Sequence, residues 1–361
     1  MHSPRTRIGL PVLAVAILAA AALVAVAPAA EDNAYVVHNI ISNVPGAADH
    51  PDANLENGWG LDAGPTSPWW VADNGTDRST LYTAGGTIVP LVVTVDGGPT
   101  GLVFNSGSAT SFFVAKAGVS RRANFLFSSE DGVIRGWNPT VDPTVAQVAY
   151  TGAGASYKGL AIASTTAGDR LYATDFANAK VDVVDGAFQP VTVDGAFTDP
   201  SLPDGYAPFG IRVLGGTVFV TYAKQDAEHE DEVAGQGLGF VDAYDTAGTL
   251  IGRVAQRGQL NAPWGLAMAP SDGFGRFSGD LLVGNFGDGT INAYEPMANG
   301  RFEYRGSLRA ADGKPLVIDG LWAIEFGRDA ANGNNGSSRT LFFTAGPNDE
   351  SDGLFGSIEA G

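Results

Sequence analysis

The chain has 361 residues, with 21 Lys and Arg against 39 Asp and Glu, a formal charge of −18, and no cysteine. An acidic surface of this kind repels nucleic acid and anionic lipid, and without cysteine there is no disulfide framework, thiol catalysis or thiolate-bound metal. Forty-nine glycines, twenty prolines and a charged fraction of 17% fit an all-β chain rich in tight turns.

Residues 1–30 read as a secretory signal peptide. Arg5 and Arg7 form its basic segment, Leu10 to Val26 its apolar core and Ala27-Pro28-Ala29 a small-residue cleavage site. A retained single membrane anchor is the competing reading. Cleavage removes two basic residues, leaving 19 against 39 acidic ones and a charge near −20. The expected product is a secreted or otherwise extracytoplasmic monomer comprising residues 31–361, with no stable membrane insertion.

Six times a small residue follows a bulky or polar one and opens an apolar run: Trp59-Gly60, Thr100-Gly101, Lys158-Gly159, Phe209-Gly210, Trp264-Gly265 and Trp322-Ala323. The small residues lie 41, 58, 51, 55 and 58 positions apart, the period of a propeller blade or solenoid unit. A ring of blades also lets about 330 residues exceed the usual size of a single core, because each blade packs only on its neighbours.

Taken in order, blade one is predicted from Gly60 to Val95 and blade two from Gly101 to about Tyr150, with Val133–Trp137 as its third strand. Blade three spans Gly159–Phe197, where Lys180 to Val184 alternates polar and apolar as a half-buried strand does. Blades four and five cover Gly210–Val254 and Gly265–Leu308. Blade six shows three strands, near Trp322–Phe326, Leu341–Thr344 and Leu354–Ile358. The apolar run Tyr35–Ile41, otherwise unpartnered, is expected to supply its fourth strand and close the ring, which removes two exposed sheet edges. The fold expected is therefore a six-bladed β-propeller with four antiparallel strands per blade.

In such a blade the residues leading into the innermost strand share one face with the turns joining strands two and three. That face collects Asn57, Trp59, Tyr157, Lys158, Asn261, Trp264 and Asp319 from the first set. The second set brings Asp73, Asn74 and Asp77, Glu130 and Asp131, Asp175 and Asn178, the stretch Lys224 to Glu232 with Asp226 in it, Asn285 and Asp288, and Asn348, Asp349 and Glu350. Asp, Asn and Gly are also what hairpin turns require. Read functionally, Asp73, Glu130, Asp175 and Asn285 converge on the axis as an oxygen-rich set for a divalent cation, calcium above all, because clustered carboxylates repel unless protonated or bridged. Asn57, Trp59, Tyr157, Lys224, Asp226, Asn261, Trp264 and Asp319 are then the ligand contacts. The tryptophans are either inter-blade core or a stacking platform. The acidic segment Lys224–Gly239, with His229, is either a solvated loop or a lid over the channel mouth.

No nucleophile elbow, Rossmann or Walker fingerprint occurs, so neither a nucleotide nor a flavin is expected. The leading expectation is a propeller binding a small polar molecule or divalent cation at the channel mouth, with metal-assisted hydrolase or lyase chemistry. In that version Asp175 or Glu130 is the base and Lys158 stabilises an oxyanion. The competing expectation is a non-catalytic module for an envelope polysaccharide or protein.

Several motifs resemble a family of bacterial secreted conserved hypothetical proteins: Asn57-Gly58-Trp59-Gly60-Leu61, Trp70-Val71-Ala72-Asp73-Asn74-Gly75, Tyr222-Ala223-Lys224-Gln225-Asp226, Asn261-Ala262-Pro263-Trp264-Gly265-Leu266, Asn285-Phe286-Gly287-Asp288-Gly289 and Phe343-Thr344-Ala345-Gly346-Pro347-Asn348-Asp349-Glu350. The resemblance runs from about Tyr35 to Ile358 and implies a secreted propeller. Some members carry a C-terminal sorting tail; this chain ends at Gly361 without one, which implies a soluble exported form. Gly58 stands where many members have proline. More distantly, the blade pattern is similar to NHL-repeat and gluconolactonase-like propellers, which implies a cation in the channel serving lactone hydrolysis.

Overall fold

A computed structural model describes Met1 and residues 33–361; the signal peptide expected over 1–30 otherwise lies outside the described residues. Those residues form a six-bladed β-propeller, almost wholly β. None of its helices is long and apolar enough to cross a membrane.

Blade one holds Gly58–Ala63, Trp69–Asp73, Arg78–Tyr82 and Val93–Thr94. Blade two holds Pro99–Phe104, Phe125–Ser129, Val133–Trp137 and Gln147–Thr151. Blade three has three strands, Tyr157–Thr165, Gly168–Asp175 and Lys180–Asp185. Only an isolated bridge from Val184 to Pro190 lies where a fourth was expected. Pro190 has no amide hydrogen and so cannot extend a ladder there. Blade four holds Tyr206–Leu214, Thr217–Gln225, Gly239–Tyr244 and Leu250–Gln256, with the short Glu232–Val233 added beside its second strand. Blade five holds Pro263–Met268, Leu281–Asn285, Ile291–Pro296 and Phe302–Ser307.

The sixth sheet runs Leu321–Phe326, Leu341–Ala345, Leu354–Ala360, Tyr35–Ser42 and His50–Pro51. Tyr35–Ser42 lies antiparallel to Leu354–Ala360, from Tyr35 opposite Ala360 to Ser42 opposite Leu354, with a bulge between Asn39 and Ile41. Strand number thus varies from three to five, which corrects the uniform four. A separate hairpin, Phe113–Lys116 with Val119–Arg122, is inserted into blade two.

The recurrent small residue has a steric cause. A Cβ on Gly60 would stand 2.4 Å from the Thr100 carbonyl oxygen, and one on Gly210 would stand 2.1 Å from that of Trp264. Neighbouring innermost strands therefore approach backbone to backbone, which only glycine permits. Hydroxyls stitch the same seams: Thr174 Oγ1 donates to the Phe209 carbonyl at 2.6 Å, and Thr344 Oγ1 to that of Trp59 at 2.5 Å. Core clusters fill the wedges between blades, such as Leu61, Trp69, Val71 and Tyr82 of blade one against Ala323, Phe342 and Phe355 of blade six.

Candidate functional site: the mouth of the central channel

The residue before each small one points towards the axis, and four of the six are aromatic. Trp59 and Trp322 stack with centroids 3.5 Å apart, Phe286 covers the other face of Trp322 at 4.0 Å, and Trp264 meets both tryptophans edge-on. Trp322 Nε1 donates to Asn57 Oδ1, and Trp264 Nε1 to the Lys158 carbonyl, each at 2.9 Å. With both faces covered and no exposure, Trp322 cannot serve as a stacking platform. These rings plug the channel.

Above the plug lies a cavity of about 560 Å³ whose walls include Trp59, Glu130, Lys158, Glu232, Asp319 and Glu350. Lys158 occupies the axial position that is Trp59, Phe209, Trp264 or Trp322 in other blades, and only 2% of it is exposed. Its Nζ donates to Glu130, stands 3.5 Å from Asp231 Oδ1 and lies 5.4 Å from the centre of the Trp59 ring. Glu130 also accepts from Asn74 Nδ2 at 2.9 Å, and Asn57 Nδ2 donates to Asn74 Oδ1 at 3.2 Å and to Glu350 Oε2 at 2.6 Å. A continuous polar network thus runs around the floor.

Two irregular segments complete the walls. Gln225 pairs with Glu232 and Lys224 with Val233, so the acidic segment folds back as an arm that brings Asp231 and Glu232 to the cavity. In blade six, Asn348, Asp349 and Glu350 all have left-handed backbones, at φ 59, 51 and 63. Each costs about 1 to 2 kcal/mol for a non-glycine residue, and such strain concentrates at functional sites. The turn is held by Asn348 N donating to Asp319 Oδ2 at 2.9 Å.

Burial pushes the Glu232 carboxyl up to about 8, with Glu350 and Asp231 adding to the rise and Lys158 opposing it. Burial likewise raises Glu350, against its hydrogen bond from Asn57. Burial alone would lower the Lys158 ammonium, but Glu130, with Glu232 and Asp231, holds it above its ordinary value. Near neutral pH the cavity therefore contains a protonated carboxyl beside an ion pair, the separation of acidities that acid–base chemistry requires. Because folding raises the Glu232 value, its stabilising contribution is present below about pH 4.5 and disappears as pH rises through about 8. Melting temperatures from pH 5 to 9 should fall less in Glu232→Gln than in the wild type; parallel curves would refute the assignment.

The expected four-ligand cation site is not assembled. Of Asp73, Glu130, Asp175 and Asn285, only Glu130 lines the cavity. Asp175 accepts from Asn178 and from Ser156 N and lies 3.5 Å from Lys180, while Asn285 bonds Gln259, Asp288 and Thr290. The reason is strand alternation. Asp73, Asp175 and Asn285 are the last residues of their strands, whereas Glu130 follows the last residue, Ser129, and so faces the other way. Among the described residues no group of three or more acidic, His or Cys side chains is placed to hold a metal. Asp175 is accordingly not a base in the cavity.

Of the expected ligand contacts, Asn57, Trp59 and Asp319 belong to the floor and walls. Tyr157 is buried with its hydroxyl donating to Asp182 Oδ2 at 2.8 Å, which removes it from the site. Lys224 lies over the Tyr206 ring, Asp226 Oδ1 accepts from Glu230 N inside the arm, and Asn261 Oδ1 accepts from Gly235 N at its root. Trp264 lines the narrow axial space with Leu160 and Ile211. The sequence places Glu232 and Glu350 on this face without singling them out as site residues, and it gives no role to Phe286. The available signal was positional: Phe286, like Glu130, is the residue just beyond its strand end.

Blades, plug and polar mouth define a six-bladed propeller with a polar cavity on one face. The soluble aldose sugar dehydrogenase of Escherichia coli has a similar fold, at 13% identity and a TM-score of 0.54 over 91% of this chain and 100% of that one. So does a streptogramin B lyase, at 10% identity and 0.51 over 91% and 98%. No family model matches the chain. Two uncharacterised proteins of Acanthamoeba polyphaga mimivirus are each 33% identical over 337 residues, covering 89% of this chain and 79% and 85% of their own lengths. The chain belongs to the family of these viral proteins. That finding corrects the bacterial family expected from the motifs.

Proposed function

We propose that the channel-mouth cavity binds a small polar molecule, uncharged or cationic, and acts on it by acid–base chemistry of the hydrolase or lyase kind. The observation that carries this reading is Lys158, a buried ammonium held against Glu130 in a cavity that also contains the high-pKa carboxyl of Glu232. One lysine against Glu130, Asp231, Asp319, Asp349 and Glu350 makes the cavity electronegative, so phosphorylated or carboxylated ligands are disfavoured. For a lactone or ester, water adds to the carbonyl carbon and gives its proton to Glu130. Lys158 offsets the charge on the carbonyl oxygen, and Glu232 protonates the departing alkoxide as its bond to carbon breaks. No step in this scheme passes through a metal. Export is part of the same reading, supported by the basic and apolar leader, as is closure of the ring by Tyr35–Ser42.

The test is calorimetric titration with a neutral aldonolactone, a diamine and a sugar phosphate. Binding of the lactone, weakened at least tenfold in Lys158→Met that retains its β circular dichroism, or of the diamine, tightened in that variant by loss of the one competing cation, is the expected result. Preferential binding of the sugar phosphate, or unchanged affinity in Lys158→Met, would overturn it. If that variant does not fold, Glu232→Gln takes its place: it should retain binding and lose turnover.

A further inference from the structure

We propose a cation clamp at the seam between the first and last blades, centred on Asp73. This carboxylate has no exposed surface, and neither of its oxygens has a hydrogen bond of regular geometry from any described residue, Thr80 alone lying near enough to ease its charge. The Thr80 hydroxyl, one per cent exposed and on the adjoining strand, is equally without a partner. A buried carboxylate with both oxygens unmatched costs several kcal/mol unless something meets its charge.

The position is specific to this seam. Asp73 shares its face of blade one with Val71, Thr80 and Tyr82, since Asp73 pairs with Arg78 and Val71 with Thr80 in the strand register. Val71 and Tyr82 pack on Phe342 and Phe355 of blade six, so the face is turned towards that blade. A second carboxylate, Asp52, lies beyond the strand His50–Pro51 at the outer edge of the sixth sheet and accepts from the Tyr82 hydroxyl at 3.0 Å. Its electrostatic effect reaches Asp73. The Arg78 guanidinium is turned outward to Asn54.

Comparison between blades sharpens the point. At the equivalent strand end of blade three, Asp175 is met by Asn178, Ser156 N and Lys180; in blade five the residue is a neutral Asn285 with three acceptors for its amide. Asp73 alone of the three has no geometric hydrogen-bond partner on either oxygen, and burial pushes its carboxyl well above its ordinary value, opposed by the neighbouring Thr80 and, last, by Arg78. Two carboxylates with the Thr80 hydroxyl form a hard oxygen set that suits a calcium-sized divalent ion. Bound there, the ion joins the blade-one strands to the segment following Tyr35–Ser42 and so ties the chain's beginning into the ring. This site is separate from the channel mouth and independent of the reading given above.

The experiment is thermal unfolding of chelator-treated protein titrated with calcium, with magnesium and sodium at matched ionic strength as further arms. Calcium should raise the melting temperature by at least about 2 °C at saturation. Glu130→Gln should respond as the wild type does, and Asp73→Asn should not respond. Asp52→Asn, which removes the second carboxylate, should show a weakened response and serves if Asp73→Asn does not fold. The clamp is wrong if wild type gives no calcium shift, if sodium alone reproduces it, or if Asp73→Asn retains it. An Asp73→Asn protein as stable as a calcium-insensitive wild type would mean that Asp73 is simply buried as a neutral acid.

Discussion

Deletion of residues 33–42 is expected to lower the melting temperature by on the order of 10 °C. Tyr35, Ile40 and Ile41 are buried, and burial of each such side chain is worth about 1.5 to 3 kcal/mol. The strand also removes the open edge of Leu354–Ala360 through its antiparallel pairing. Tyr35 reaches further still: its hydroxyl donates to the Phe274 carbonyl at 3.0 Å, its ring stacks on Phe277, and its amide bonds the Arg309 carbonyl at 2.8 Å. Loss of the segment therefore loosens blade five as well as blade six. Unfolding followed by circular dichroism checks this, and a shift within 2 °C would show that the ring holds without the N-terminal strand.

Replacing Trp322 by alanine should cost about 3 to 5 kcal/mol in chemical denaturation, the range for deleting a fully buried large aromatic. Its ring is stacked on both faces and its indole nitrogen is the donor to Asn57 Oδ1. The truncation thus leaves a void on the axis and an unmet acceptor in the floor network. Trp322→Phe keeps most of the contact area but not the donor, so it should fall between. A loss below 1 kcal/mol for the alanine variant would mean that the plug can collapse around the gap.

The architecture was legible because its cause is local and repeated. Each innermost strand meets its neighbour through backbone, so Gly60, Gly101, Gly159, Gly210 and Gly265 mark the blades in the sequence itself. The third strand of blade two, Val133–Trp137, was legible from its position in that register. Less visible were the missing fourth strand of blade three, which depends on where Pro190 falls, and the inserted hairpin Phe113–Arg122. The site was legible as a face but not as a constellation. Asp73 and Glu130 look equivalent in the sequence, yet one residue of register turns them to opposite sides of the strand line. Glu232 stood on the face by its position in the sequence, but only the pairing of Gln225 with Glu232 shows that the acidic segment returns to the axis. Lys158 was visible as a cation beside the face, and its burial followed from occupying a position that other blades give to an aromatic ring.

The stacked rings of Trp59, Trp322 and Phe286 make the vestibule above them a cul-de-sac. Whatever enters has to back out through the same doorway, past the arm bearing Asp231 and Glu232. Under the chemistry proposed above, incoming molecules and departing fragments would compete for one passage, and a spent fragment would act as a competitive inhibitor of the next arrival. A long chain could present only its tip, and a compact guest would be favoured over any polymer threaded through the disc.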